Sequence, residues 1–270
     1  MKYHIEIKIL GFCGVFIAGL VLLKAALGMF VGNAIAAAVL GEAGMLAFAL
    51  WLFRRFTVQD LPLRQCFVSS RKLPDFARGA GFGALLFACS MAVLLGTGAL
   101  RLELVSAPLS SFVFKTLIMA AAVLFTAFWE ETVFRAYILA LLERKYGALA
   151  GAAATGAVFG LLHLLSPVKS AGIVAATFCS GMLLSYAFLR RRSVYYPAGI
   201  HFCWNFLTSF TGSAEFFRVT ARTPLLAGAT KVEEGLVVIA ATAAAVFIMA
   251  GLYRSEMAKN GPAPATPGQR

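Results

Sequence analysis

Long uncharged runs separated by short charged connections dominate this chain. Eight apolar segments can be drawn, at about residues 9–31, 33–53, 76–100, 112–142, 148–166, 170–189, 194–211 and 235–253. A helix needs roughly 20 apolar residues to cross a hydrocarbon layer of about 30 Å. The pattern therefore predicts an all-α fold, a polytopic transmembrane helical bundle with about eight spans. The fourth segment is too long for one straight span. It either runs on as a long tilted helix or breaks. The seventh is short and carries polar residues. No internal repeat is visible.

Composition supports the membrane reading. Of 270 residues, 60% are hydrophobic and only 13% charged, with a mean hydropathy of +0.83, which excludes an ordinary soluble domain. A single integral-membrane domain is expected over residues 1–259. Residues 260–270, rich in Pro, Gly and Ala, read as a disordered tail. Lys2 and Lys8 before an apolar run resemble a signal peptide, but no small-residue cleavage site follows. The first segment is expected to remain as a span.

The net charge of +12 raises the question of nucleic acid. The basic residues sit between apolar runs, not on amphipathic stretches with interleaved aromatics. No nucleic-acid partner is expected, and the excess of positive charge in cytoplasmic loops explains them better. With both termini cytoplasmic, 16 Lys and Arg fall inside, including Arg54, Arg55, Arg64, Arg144, Lys145 and Arg190-Arg191-Arg192. Seven fall outside: Lys24, Arg101, Lys115, Lys169, Arg218, Arg222 and Lys231. Residues 54–78 mix charges with Leu61, Leu63, Phe67 and Val68, and fit a surface-lying amphipathic piece or a solvated loop equally. The five cysteines are scattered and form neither a disulfide framework nor a metal-spaced pair.

The candidate chemistry begins inside the fourth segment, at Phe128-Trp129-Glu130-Glu131-Thr132-Val133-Phe134-Arg135. Ionisable groups at bilayer depth are costly and mark functional sites by default. At about 100° per residue, Arg135 lies roughly 40° from Glu131 but roughly 140° from Glu130. Glu131 and Arg135 are thus expected to form an i,i+4 ion pair, leaving Glu130 free for chemistry. Glu42, also mid-span, is expected to be clamped by Lys24. Trp129 and Trp204 are expected to pack around the site. Cys203 is two residues from His201, and so faces the other side of the helix.

Two histidines also fall within apolar segments. His163 ends Phe159-Gly160-Leu161-Leu162-His163, where Phe159 can hold the ring and Gly160 lets a neighbour approach. His201 opens His201-Phe202-Cys203-Trp204-Asn205, and its i,i+4 spacing puts Asn205 on the same face. That pair suits either two donors converging on a developing negative charge or a polar tie between helices.

Three motifs, Glu-Glu-x-x-x-Arg, Phe-x-x-x-His and His-x-x-x-Asn, on successive hydrophobic segments, resemble the CPBP family of intramembrane proteases. That family includes CAAX-processing enzymes and the bacterial Abi proteins. The resemblance covers about residues 112–211, and all three motifs match without substitution. It implies an intramembrane endopeptidase in which Glu130 and His163 activate water and His201 and Asn205 stabilise the tetrahedral intermediate. Glu131, Arg135 and Phe159 then support the site. A glutamate mechanism with no cofactor is favoured. A zinc-dependent version would draw on Glu130, His163 and His201, since two His and one carboxylate suffice for zinc with water in the fourth position.

The implied partners are a membrane-anchored protein or peptide substrate and the lipid bilayer. The implied location is the bacterial inner membrane, as a multi-pass protein. Two readings from other classes stand beside this one: a non-catalytic immunity or assembly factor on the same scaffold, and a small transporter using Glu130 and the histidines as a proton relay. The absence of paired broken helices in two related halves argues against the transporter.

Overall fold

The computed structural model describes residues 4–30, 34–57, 64–68, 71–105, 108–165, 170–214 and 216–260. The side chain of Lys24, residues 58–63 and 69–70 of the connection after the second segment, Lys169 and the tail 261–270 lie outside the described residues.

The apolar segments become helices: α1 (His4–Phe30), α2 (Ala34–Phe56), α3 (Lys72–Gly96) and α4 (Leu109–Glu131). A π-helical stretch, Thr132–Leu139, joins α4 to α5 (Ala140–Tyr146). Then follow α6 (Ala148–Leu162), α7 (Ala171–Arg191), α8 (Tyr195–Thr211) and α9 (Leu236–Asn260). The long fourth segment thus runs on to Tyr146 and ends at Gly147. That residue takes φ 83°, and its N–H closes on Glu143 O at 2.8 Å, a left-handed stop that glycine reaches without a Cβ penalty.

Among the described residues, six stretches are long and apolar enough to cross a membrane. The difference from eight has two physical causes. Residues 109–162 count as one 54-residue helical stretch, although the charged run Glu143-Arg144-Lys145 and the break at Gly147 divide it, and α8 has only 17 residues. The connections among the described residues gather at two ends. At one end Glu6 meets Lys145 and Tyr146, Arg192 grips Glu143 with two 2.6 Å bonds, and Arg190 Nε–H donates to Glu256 at 2.8 Å. At the other end β1 (Leu100–Leu104) pairs antiparallel with β2 (Phe217–Ala221), with Leu100 opposite Ala221 and Leu104 opposite Phe217. The protein is a multi-pass integral membrane protein of all-α class. Large apolar side chains such as Leu22, Leu85, Leu117 and Phe247 face outward, where lipid replaces water as solvent.

Small residues set the tightest helix contacts. A Cβ on Gly79 would stand 2.1 Å from Tyr196 O, and one on Gly83 would stand 2.6 Å from Ile200 O. The backbones of α3 and α8 therefore touch through a small-x-x-x-small face. Gly160 does the same for α6 and α7, where its Cβ would meet Val174 O at 2.9 Å. These two close pairs fix where His201 and His163 sit. Phe12, Phe53, Tyr137, Leu139, Leu183 and Phe188 form the main buried core; Phe87, Leu94, Leu100 and Ala227 form a smaller one under the ribbon.

The expected Lys24–Glu42 clamp falls on a side chain outside the described residues, but Glu42 has partners on α4. Its Oε2 accepts Thr126 Oγ1–H at 2.8 Å and Trp129 Nε1–H at 2.7 Å, tying α2 to α4 one residue before Glu130. Trp129 therefore anchors a helix as well as packing. The five cysteines are free thiols.

Candidate active site

The site is built on a change of helical pitch. Glu130 and Glu131 close α4, and every residue of the following π stretch is buried. Such stretches often accompany functional sites. Arg135 Nη1–H donates to Glu131 Oε1 at 2.9 Å, with both side chains 0% exposed. The Arg135 guanidinium also reaches Gly181 O with Nη2–H at 3.4 Å and lies 4.8 Å from the centre of the Phe159 ring. A buried charge needs that many partners to offset its desolvation.

Glu131 has a second ligand. His201 Nδ1 stands 2.9 Å from the same Oε1. The carboxylate is ion-paired and can only accept, so Nδ1 carries the hydrogen and donates. The other ring nitrogen, Nε2, faces Glu130 Oε2 at 3.6 Å, just too far for a hydrogen bond. Glu130 Oε2 is buried without a hydrogen-bond partner among the described residues.

His163 ends α6 and accepts a different hold. Its Nδ1 lies 2.8 Å from Phe159 O, so Nδ1–H donates to that carbonyl. Its ring meets the Phe159 ring edge-on with centroids 4.8 Å apart; His201 meets the same ring at 6.2 Å. Phe159 is therefore a wedge between the two histidines and, on a third side, a lid over Arg135. His163, His201 and Asn205 open onto one cavity of about 220 Å³, with Thr177 and Ser180 on α7 opposite. Glu130 does not line that cavity; it meets it through His201.

The sequence residues thus fall into two groups. Glu130, Glu131, Arg135 and His201 form one charged cluster. His163 and Asn205 share the cavity with His201. Spacing alone could not reveal the His201–Glu131 bond, which joins residues 70 apart. Thr177, Ser180 and Lys231 on the cavity wall were also missed; Ser and Thr within apolar runs carry no signal of their own.

The tautomers bear on metal chemistry. With Nδ1–H committed on both rings, a neutral His163 and a neutral His201 each keep a lone pair on Nε2, as a zinc ligand does. The positions fit less well: among the described residues no three His, Cys, Asp or Glu side chains stand close enough together to hold one ion. No step is therefore routed through a metal.

No curated protein and no solved structure matches the chain. A family model does, described as type II CAAX prenyl endopeptidase Rce1-like, over residues 111–207. This stretch runs from the first turn of α4 to within α8 and contains all three motifs, so the part of the chain that carries the site is similar to the Rce1-like type II CAAX prenyl endopeptidases.

Proposed function

We propose that the chain is an intramembrane endopeptidase that hydrolyses a peptide bond near the end of a membrane-associated protein or peptide. The observation that carries this reading is the division of the two carboxylates. Glu131 Oε1 accepts from both Arg135 and His201, leaving only its Oε2 unpaired, whereas the Glu130 carboxylate makes no hydrogen bond among the described residues and stands beside a cavity that presents His163, His201 and Asn205.

In this scheme Glu130, assisted by His163, takes the proton of a water molecule as its oxygen attacks the scissile carbonyl carbon. The carbonyl oxygen becomes the oxyanion. The proton then passes to the leaving nitrogen as the C–N bond breaks. Asn205 donates its amide N–H to the oxyanion whatever the state of the ring. His201 can donate from Nε2 only as the imidazolium, since Nδ1–H stays on Glu131. The Glu131–Arg135 pair holds His201 in place.

A comparison of protein termini in cells with the wild-type chain and cells with Glu130→Gln tests the reading. New carboxyl or amino termini on membrane proteins should vanish in the variant. Identical termini in both would leave only the non-catalytic scaffold.

A further inference from the structure

The cavity does not end at the histidines. A second cavity, of about 350 Å³, lies under the ribbon and is lined by Val219 and Ala221 of β2. The two share Thr208, Ser209, Lys231 and Glu233 as walls. His201, Asn205 and Thr208/Ser209 on α8, with Gly212 just past its end, recur every three or four residues, so they form one stripe. That stripe climbs about 16 Å at 1.5 Å per residue, from the site to the ribbon-bearing end of the bundle.

The opposite direction is closed. Between the site and the arginine-rich end stand Phe134, Tyr137, Leu139, Leu184, Tyr186 and Ile200, all buried. Among the described residues, none in the connections at that end lines either cavity.

We propose that this polar passage holds the substrate's tail in extended form and opens the site to the ribbon-bearing face only. The charge bias of the connections puts that face outside the cytoplasm. The proposal rests on the protease reading and narrows its substrates to chains whose cleavable end is presented on the non-cytoplasmic side.

The register of the ribbon fits such an occupant. Arg222 N–H bonds to Ala99 O and Val105 N–H to Phe216 O, each at 2.8 Å. Bonded pairs alternate in an antiparallel ladder, so the backbone groups of Val219 and Ala221 point away from β1. An extended polypeptide can pair with them by strand addition. Lys231 and Glu233 add a charge of each sign to the passage wall, suited to a polar tail and costly for a lipid chain.

The test is one-sided thiol labelling. Ser209→Cys, and separately Thr208→Cys, are treated with a membrane-impermeant cationic methanethiosulfonate, on intact cells and on inverted membrane vesicles. Labels are counted by mass against the parent chain with its own cysteines. The expected result is one added label per chain from the cell exterior and none from inverted vesicles. Labelling should also cut cleavage of a quenched, prenylated CAAX-type peptide in detergent at least tenfold. Labelling from inverted vesicles, from both sides equally, or from neither, overturns the passage, as does full cleavage by the labelled protein. Labelling needs no catalysis, so an outward label on a chain that cleaves nothing would sink the protease reading and leave the opening in place.

Discussion

Glu131 and His201 hold each other: the Nδ1–H of His201 donates to Glu131 Oε1 at 2.9 Å, on the same oxygen that Arg135 grips. The histidine is thereby fixed by a carboxylate that is itself fixed by a guanidinium. Its free edge points at Glu130 and the cavity. The relation makes Glu131 a positioning residue for His201 as well as a counter-ion, and it sorts the expected effects of mutation.

Removing Arg135 strands a buried charge. Arg135→Ala should lower folded yield, with a stability loss of about 3–5 kcal/mol, the usual result of breaking a buried pair from one side. Glu131→Gln keeps the shape and an acceptor oxygen but loses the charge. It should fold better than Arg135→Ala and still lose most activity. Thermal denaturation in detergent, set beside turnover, separates the two. Equal stability of Arg135→Ala and the parent would contradict the pairing.

Asn205 is expected to act in the transition state. Asn205→Ala should lower kcat by about 10²–10³, the usual loss of one oxyanion donor, with KM little changed. A matching loss of peptide binding in the Glu130→Gln background would show that Asn205 grips substrate instead.

The α3–α8 contact offers a contrast within one helix. Gly79→Ala puts a Cβ 2.1 Å from Tyr196 O, against backbone, so the helices must part. Folded yield and activity should both fall. Gly81→Ala meets nothing within 4 Å and should be neutral or stabilising by up to about 1 kcal/mol through helix propensity. Melting temperatures of the two variants check this; equal behaviour would contradict the close approach.

Much of the fold and part of the site are legible in the sequence. The helices follow from hydropathy because lipid forces every backbone group to be satisfied within its own segment. The Glu131–Arg135 pair follows from helical spacing, which is local. The His201–Glu131 bond and the Glu42–Trp129 tie join distant parts of the chain, and no periodicity encodes them. The ribbon was a missed signal: Leu100-Arg-Leu-Glu-Leu104 and Phe217-Arg-Val-Thr-Ala221 both alternate, but β1 starts at the end of an apolar run and was absorbed into it. The break at Gly147 is legible, because the charged run Glu143-Arg144-Lys145 just before it separates two apolar segments.

Metal content separates the two versions of the chemistry. A glutamate enzyme purified with its activity should hold no stoichiometric zinc and should survive exhaustive chelation. One zinc per chain by elemental analysis, lost together with activity in both His163→Ala and His201→Ala, would replace the glutamate scheme with a metal one at the same residues.

The central claim is that Glu130 is the base and Glu131 is not. Its most direct measurement is turnover of a quenched, prenylated CAAX-type peptide by purified Glu130→Gln, beside a melting curve of the same sample. The amide matches the carboxylate in shape but cannot take a proton from water. The account predicts cleavage reduced at least 10²-fold, the lower range for a general base, with melting temperature unchanged. Wild-type turnover by a folded Glu130→Gln protein would contradict it.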